Sequence, residues 1–136
     1  MSFYKNISHS DKHINSLLNS LFKYHPKEIS LSLKRINKLL KKLNNPHLKI
    51  PKVIHIAGTN GKGSVATILF NLQKRFGRKV HVYRSPHLNK FNKKIFVSNK
   101  MITNNYLAEI LQHIKEVNKK SPITFFEITT AAAFFA

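Results

Sequence analysis

Apolar residues recur at two different spacings, which divide the chain into predicted helices and predicted strands. A spacing of three and four residues appears in two segments of the first third of the chain. Ser10 or Asp11 is a candidate N-cap for the first helix and Ser30 for the second. We expect Pro26 and the run Asn44-Asn45-Pro46 to end them. Their apolar positions are Ile14, Leu17, Leu18 and Leu21, then Leu33, Ile36, Leu39, Leu40 and Leu43.

The middle of the chain predicts a strand, a glycine-rich loop, a helix and a second strand. Residues 53–57 and 80–83 are short apolar runs typical of strands. The helix between them is expected to end at Gly77, because glycine favours the C′ position. Two strands joined through a helix form a βαβ unit, so both strands are expected to be buried and parallel. The apolar positions of the connecting helix are Val65, Ile68, Leu69, Leu72 and Phe76.

The rest of the chain predicts a hairpin and two helices. Residues 94–102 form the hairpin, which turns at Ser98-Asn99-Lys100. Thr103 caps the first helix, and Ser121-Pro122 separates it from the second. Residues 124–136 are almost wholly apolar and lack a basic or glycine-rich end, so we expect a buried helix in a truncated chain. The inner face of the Thr103 helix is predicted as Tyr106, Leu107, Ile110, Leu111, Ile114 and Val117.

Composition indicates a cytoplasmic protein of about one domain. The chain has 136 residues, of which 42% are hydrophobic. It has no apolar run of membrane-spanning length and no signal-peptide pattern. The absence of cysteine excludes disulfides and thiolate metal sites.

The charge is strongly positive, with 24 Lys and Arg against 5 Asp and Glu, a net +19. Such a balance is typical of proteins that bind nucleic acid or another polyanion. The alternative is a coding bias towards lysine and asparagine that leaves solvated basic faces. We prefer the alternative, since the lysines are spread along the whole chain and the motifs indicate a nucleotide rather than a polymer.

The loop Gly58-Thr-Asn-Gly-Lys-Gly-Ser64 has the composition of a phosphate site. Glycines allow backbone N–H groups to surround phosphate oxygens. Lys62 can place a charge on the β- and γ-phosphates, and Ser64 can offer its hydroxyl to Mg²⁺. The loop departs from the common G-x-x-x-x-G-K-[ST] pattern by an extra glycine, Gly63, before the serine. The alternative is a strand-to-helix turn without a ligand.

Two further positions have both a structural and a functional interpretation. Ser85-Pro86 follows a predicted parallel strand, where α/β sheets bind ligands, but an ordinary loop is the simpler interpretation. His87 beside it is an ordinary loop histidine by the same reasoning. Glu127 completes the capping box Thr124-x-x-Glu127, and beside Phe125 and Phe126 it could instead hold a heteroaromatic ring.

Four stretches together resemble the bifunctional folylpolyglutamate synthase/dihydrofolate synthase family of the Mur ligase superfamily. They are Ile29-Ser-Leu-Ser-Leu-Lys-Arg-Ile36, His55-Ile-Ala-Gly-Thr-Asn-Gly-Lys-Gly-Ser64, Tyr83-Arg-Ser-Pro-His-Leu88 with Phe91-Asn92, and Thr124-Phe-Phe-Glu127 with the alanines after it. The Lys-Gly-Ser loop and the Ser-Pro-His segment are the most specific. The resemblance covers nearly the whole chain and implies an N-terminal fragment.

The resemblance implies an ATP-dependent amide ligase that adds L-glutamate to dihydropteroate or to folate γ-glutamyl tails through an acyl phosphate. It implies Mg²⁺ as cofactor, a monomer, and neither membrane nor nucleic acid as partner. The fragment alone is expected to be inactive. The alternatives are a Mur-type ligase acting on a nucleotide-peptide precursor and a basic module that binds RNA or another polyanion.

The resemblance also implies the fold and the roles of residues. We expect an incomplete three-layer P-loop domain of the Mur ligase central type, with a mostly parallel sheet. Residues 1–50 would be a helical lead-in and residues 51–136 the P-loop part, without the C-terminal domain. Lys62 would be the catalytic residue, and Ser64 and Ser85 the metal ligands. ATP would be held by Thr59, Asn60, Gly61, Lys62, Gly63 and Ser64, and the pterin by Glu28, Ile29, Ser30, Leu31, Thr124, Phe125, Phe126 and Glu127.

The chain departs from the family pattern at three places. Ser30 and Ser32 stand where Asp and Gly are usual, and Arg84 stands where a small residue such as Thr is usual. Lys93-Lys94 replaces an acidic residue followed by Arg, so an ion pair expected in the family is lost here.

Overall fold

A computed structural model of the chain describes residues 12–26, 32–84 and 91–136. The candidate caps Ser10, Asp11 and Ser30 lie outside these ranges. The described elements are α1 (Lys12–Phe22), α2 (Lys34–Lys42), α3 (Lys62–Arg75), β1 (Val82–Tyr83), β2 (Ile95–Val97), β3 (Lys100–Met101), α4 (Asn104–Asn118) and α5 (Phe125–Phe135). Short 3₁₀ turns occupy Pro46–Leu48 and Phe91–Lys94.

Helix α4 lies at the centre of the hydrophobic core. The Thr103 side chain accepts a hydrogen bond from the Tyr106 N–H at 3.3 Å, which confirms Thr103 as the N-cap. The helix packs against α1, α2 and α5. Its predicted inner face is buried at four positions, and Val117 is partly buried. Tyr106 is exposed, and its hydroxyl donates to the Ala136 carbonyl at 3.2 Å. The side chains that α4 buries include Leu107, Ile110, Leu111 and Ile114.

Helices α1 and α2 form as predicted and join the same core. All four predicted apolar positions of α1 are buried. Leu39 and Leu40 of α2 and its C-cap residue Leu43 are buried, whereas the N-cap residue Leu33 is exposed. Asn44 and Asn45 have positive φ angles, which end the helix before Pro46 as predicted.

Helix α5 is buried along most of its length, which confirms the prediction for the last apolar run. Its inward residues are Phe125, Ile128, Thr129, Ala131 and Ala132. Pro122 lies in the non-helical segment between α4 and α5, as expected. Within the described ranges, none of the helices is both long enough and apolar enough to cross a membrane.

The hairpin is confirmed, but the sheet that contains it is antiparallel throughout. The strand order is β1-β2-β3, and both pairs run antiparallel. Ser98 and Asn99 both have positive φ, which is the backbone of a type I′ hairpin turn. The Asn99 side chain accepts from the Val80 N–H and donates to the Arg78 carbonyl, both at 2.9 Å. These bonds attach the turn to the segment before β1.

Residues 53–57, which were predicted as a buried strand, do not form one with any described segment. Val53 and Ile54 are exposed, and no described segment forms a ladder with them. A strand needs a partner for its N–H and C=O groups. Residues 82–83 find theirs in β2 on one edge, but no described segment pairs with their other edge. The predicted parallel βαβ pairing is therefore not formed.

Helix α3 forms as predicted, but its predicted apolar stripe does not face the core. Gly77 has a φ angle of +71°. Its N–H donates a hydrogen bond to the Lys74 carbonyl, and the Arg78 N–H donates one to the Gln73 carbonyl. This pair of bonds is a Schellman motif, so the predicted C′ glycine is confirmed. Phe70 is the buried residue of α3, and its ring lies 5.1 Å from that of Phe96. The stripe is largely exposed since no described element covers it; its exposed members are Val65, Ile68, Leu72 and Phe76.

These burial patterns predict opposite outcomes for two leucine truncations. Leu111 is 0% exposed and Leu72 is 44% exposed. We expect Leu111→Ala to lower the free energy of unfolding by about 3 kcal/mol, because it leaves a cavity in the core. Leu72→Ala is the matched control and should cost less than about 1 kcal/mol. Urea denaturation followed by circular dichroism measures both, and equal losses would contradict this assignment of the core.

Candidate functional site

The glycine-rich loop leads into α3 with an uncapped helix N-terminus. Gly58 and Gly61 have φ angles of +145° and +77°, which residues other than glycine rarely adopt. Gly61 is the N-cap residue, and no side chain caps the helix there. The N–H groups of the first turn therefore lack a side-chain acceptor, and the positive end of the helix dipole is open to an anion.

Lys62 lies at the start of α3 and folds back over the loop. Its Nζ donates hydrogen bonds to the carbonyl oxygens of Gly58 and Thr59, the latter at 2.9 Å. These contacts hold the ammonium group beside the exposed first turn. Both bonds are to exposed carbonyls, which water can also satisfy, so the charge is available to a phosphate that enters the loop.

Gly63 is the residue that distinguishes this loop from common P-loops. The fold does not require a glycine at this position. A Cβ added at Gly63 meets no atom within 4 Å, and its φ is not positive. The open space above this position faces the same first turn. Ser64 beside it is exposed, and the Thr67 hydroxyl donates to the Gly63 carbonyl at 2.8 Å. The position is thus open space beside the first turn of α3.

The oxygen chemistry of this loop fits a Mg²⁺ ion that is bound partly through ATP. Mg²⁺ commonly uses one or two protein oxygens together with waters and substrate phosphates. Ser64 offers one exposed hydroxyl at the loop. Among the described residues, no group of three or more His, Asp or Glu side chains could hold a metal ion by itself. The second predicted ligand, Ser85, lies outside the described residues, as do Pro86 and His87.

The second predicted site begins at the N-terminus of α5, where the capping box is confirmed. The Glu127 N–H donates to the Thr124 hydroxyl at 3.2 Å. The Thr124 N–H donates to Glu127 Oε2 at 2.7 Å. Two N–H groups at this helix end are therefore satisfied reciprocally. Glu28, Ile29, Ser30 and Leu31, which were predicted to join this site, lie outside the described residues.

The two phenylalanines of the second site point in different directions. Phe125 is buried and stacks on Phe22, with ring centroids 5.0 Å apart and an interplanar angle of 13°. Phe126 is 50% exposed. Of the two rings, Phe126 is therefore the one that is open to a ligand.

Arg35 is part of the second site and was missed by the sequence analysis. Its Nε donates to Glu127 Oε2 at 3.1 Å, and the two side chains are 22% and 12% exposed. Arg35 belongs to α2, 92 positions before its partner. Arg35 is not one of the predicted apolar positions of α2, and the local sequence carries no indication of so distant a contact.

Tyr83 at the end of β1 contacts α5. Its hydroxyl lies 2.9 Å from the buried Thr129 hydroxyl. The guanidinium of Arg84, the next residue, lies 5.8 Å from the centre of the Phe96 ring. The backbone N–H of Arg84 donates to the Lys94 carbonyl. Burial, and secondarily the charge of Arg84, lower the pKa of Lys94. This pair of like charges occupies the positions where the chain departs from the family pattern.

The chain is similar to curated enzymes of folate metabolism along most of its length. It is 36% identical over 116 residues to a dihydrofolate synthase/folylpolyglutamate synthase of Haemophilus influenzae, covering 85% of this chain and 26% of that protein. It is 38% identical over 108 residues to a dihydrofolate synthetase of Saccharomyces cerevisiae, covering 78% and 25%. No protein-family model matches the chain.

Solved structures give the same result for the backbone. The E. coli FolC complex with DHPP and ADP aligns with a TM-score of 0.79 and 28% identity, over 94% of this chain and 31% of that one. A bifunctional folylpolyglutamate synthase/dihydrofolate synthase of Yersinia pestis, complexed with AMPPNP and a Mn ion, aligns with a TM-score of 0.78 and 25% identity, over 95% and 31%. The shared fold mixes helices and strands.

The chain spans about a quarter of the length of the curated relatives that it matches. Within that span, its sequence and its backbone are both similar to one group of enzymes. The chain belongs to the dihydrofolate synthase/folylpolyglutamate synthase family.

Proposed function

We propose that the protein to which this chain contributes is an ATP-dependent amide ligase that joins L-glutamate to dihydropteroate or to a folate γ-glutamyl tail. The observation that carries the proposal is the loop before α3, where Lys62 lies beside an uncapped helix N-terminus and the open position of Gly63. Structural relatives with ADP or AMPPNP bound support a nucleotide at this loop. The chain alone is not expected to catalyse the reaction, because it covers only part of those enzymes.

The proposed chemistry activates a carboxylate that is a poor electrophile. A carboxylate oxygen of the pteroate or folate substrate attacks the γ-phosphorus of ATP, and the bond to the β-bridging oxygen breaks to release ADP. The amino group of glutamate then attacks the acyl carbon, loses a proton and expels phosphate to leave an amide. Lys62 and the first-turn N–H groups would neutralise charge that spreads over the phosphoryl oxygens. Mg²⁺, held partly by Ser64, would supply further charge neutralisation when bound.

We propose that the pteridine ring binds at the start of α5, where Phe126 is exposed. Aromatic rings stack on flat heterocycles, and this ring lies on a helix end fixed by the capping box. The segment from Thr124 to Glu127 would line one side of the pocket. Residues 28–31 would close over the ring, and Ser85 would complete the metal site.

The finer assignment of the fold is also a proposal. Residues 51–136 would form the ATP-binding part of a three-layer P-loop domain with a mostly parallel sheet, in which residues 53–57 become a strand. The exposed apolar side chains of residues 53–54 and of α3 support this assignment, since a further layer could cover them. The cytoplasmic location and the monomeric state remain predictions of the sequence.

Lys62→Ala tests the role of the loop in catalysis. In the intact protein we expect turnover to fall by about a hundredfold or more, because the change removes a charge that neutralises the transferring phosphoryl group. Phosphate release that depends on glutamate and pteroate measures it. Lys74→Ala, an exposed lysine near the other end of the same helix, is the control and should keep normal turnover. Near-normal turnover in Lys62→Ala would refute the proposed role.

Gly63→Ala separates ligand binding from folding. Alanine favours a helix over glycine by about 1 kcal/mol, and a Cβ at this position meets no protein atom, so stability should be unchanged or slightly higher. Binding of Mg-ATP should weaken about tenfold or more, because the Cβ occupies space that phosphate oxygens need. Thermal unfolding and calorimetric titration with Mg-ATP measure the two effects. Unchanged affinity for Mg-ATP would show that the nucleotide does not approach Gly63.

A further inference from the structure

We propose that Arg35 is a positioning residue for the pteridine pocket: it orients Glu127, and through it the first turn of α5, so that the Phe126 ring is presented to the substrate. The inference rests on the proposed function and adds a specificity-determining contact between α2 and α5. It also assigns Glu127 an indirect role, in which its carboxylate holds the protein together rather than bonding the ring.

One carboxylate oxygen connects three parts of the chain. Glu127 Oε2 accepts the Thr124 N–H at 2.7 Å and the Arg35 Nε–H at 3.1 Å. The first bond closes the capping box, and the second fixes that box to α2. Hydrogen bonds between charged groups are stronger than neutral ones, and a planar guanidinium also fixes direction.

The burial of the pair makes this contact more than a surface ion pair. Arg35 and Glu127 are 22% and 12% exposed, so water screens them less than it screens an exposed pair. Glu127 is also one of only 5 acidic residues in a chain with 24 Lys and Arg. Removing Arg35 leaves its carboxylate without this donor in a partly buried place.

The geometry of the first turn links this contact to the exposed ring. Phe125 points inward and stacks on Phe22, whereas Phe126 is the next residue and is half exposed. Rotation of the first turn would therefore move both rings together. Phe125 fixes the turn from the core side, and the Arg35–Glu127 contact fixes it from the α2 side. With both in place, Phe126 has a defined direction.

The role of Glu127 follows from its bonds. Its Oε2 already accepts two donors from the protein, and a glutamine at this position would keep the capping box while losing the negative charge. If the Glu127 carboxylate acts only through Arg35, its loss should raise KM for dihydropteroate by no more than the loss of Arg35 does. A carboxylate that bonds the ring itself should matter even when Arg35 is absent.

Steady-state kinetics of four forms of the intact protein test the inference: wild type, Arg35→Met, Glu127→Gln and the double variant. We expect each single variant to raise KM for dihydropteroate about tenfold, with kcat within about twofold and KM for ATP unchanged. The double variant should be no worse than the more affected single variant, because both substitutions act on the same charged contact. Arg35→Lys should fall between wild type and Arg35→Met.

Matched controls separate this contact from general charge effects. Lys38→Met removes a cation from the exposed face of the same helix, and Glu116→Gln removes an acid whose partner is the exposed Gln112. Both should keep wild-type KM values. A purely structural role for Arg35 would change thermal stability, kcat and KM for ATP together, and that pattern would overturn the proposal.

Two other outcomes would also overturn it. Additive losses in the double variant would mean that Glu127 contacts the ring directly, and an unchanged KM in Arg35→Met would mean that the contact does not orient the pocket. If Arg35→Met does not fold, Arg35→Lys with Glu127→Gln gives the same test, since Lys keeps the charge and Gln keeps the cap. A wild-type protein that neither binds nor uses dihydropteroate would instead refute the proposed function.

Discussion

Burial of α4 between α1, α2 and α5 is the constraint on which the described structure depends. Its side chains Leu107, Leu111 and Ile114 are fully buried, and removing each from water contributes about 2 kcal/mol. Because α2 and α5 both pack on α4 and on each other, their ends are brought to fixed positions. The contact between Arg35 and Glu127 is possible only in that arrangement. The pocket proposed at α5 therefore depends on a core that contains none of its residues except Phe125.

Local rules were sufficient to predict the elements whose partners are encoded nearby. The spacing in α1, α2, α4 and α5, the caps Thr103 and Thr124, and the Ser98-Asn99 turn depend on residues within four or five positions of one another. The same rules failed for Leu33, because the apolar spacing does not distinguish a residue just before a helix from a residue in its first turn. They failed for Tyr106, which is exposed, because helical spacing shows which face a residue is on but not how far the core extends along that face.

Long-range pairing was the part that could not be predicted. An apolar run at residues 53–57 predicts that this segment packs against another surface, but the run does not identify that surface. No described segment pairs with it. The contact between Arg35 and Glu127 spans 92 positions and had no local indication. The glycine-rich loop was easier to identify from the sequence because its glycines, Lys62 and Ser64 lie in one continuous segment. What the structure adds there is the direction of the Lys62 ammonium and the empty space at Gly63.

The weak attachment of α3 has a consequence for its motions. Among the described contacts, the helix is anchored mainly by the tilted contact between the Phe70 and Phe96 rings, while most of its apolar stripe faces solvent. Elements with few buried contacts open at a lower free energy than the core, so amide protons of α3 should exchange with deuterium long before those of α4. An anion that binds the first turn of α3 would add to the free energy that keeps the helix closed. Occupancy of the loop and ordering of α3 would then be coupled, and the coupling would be visible as slower exchange along the whole helix.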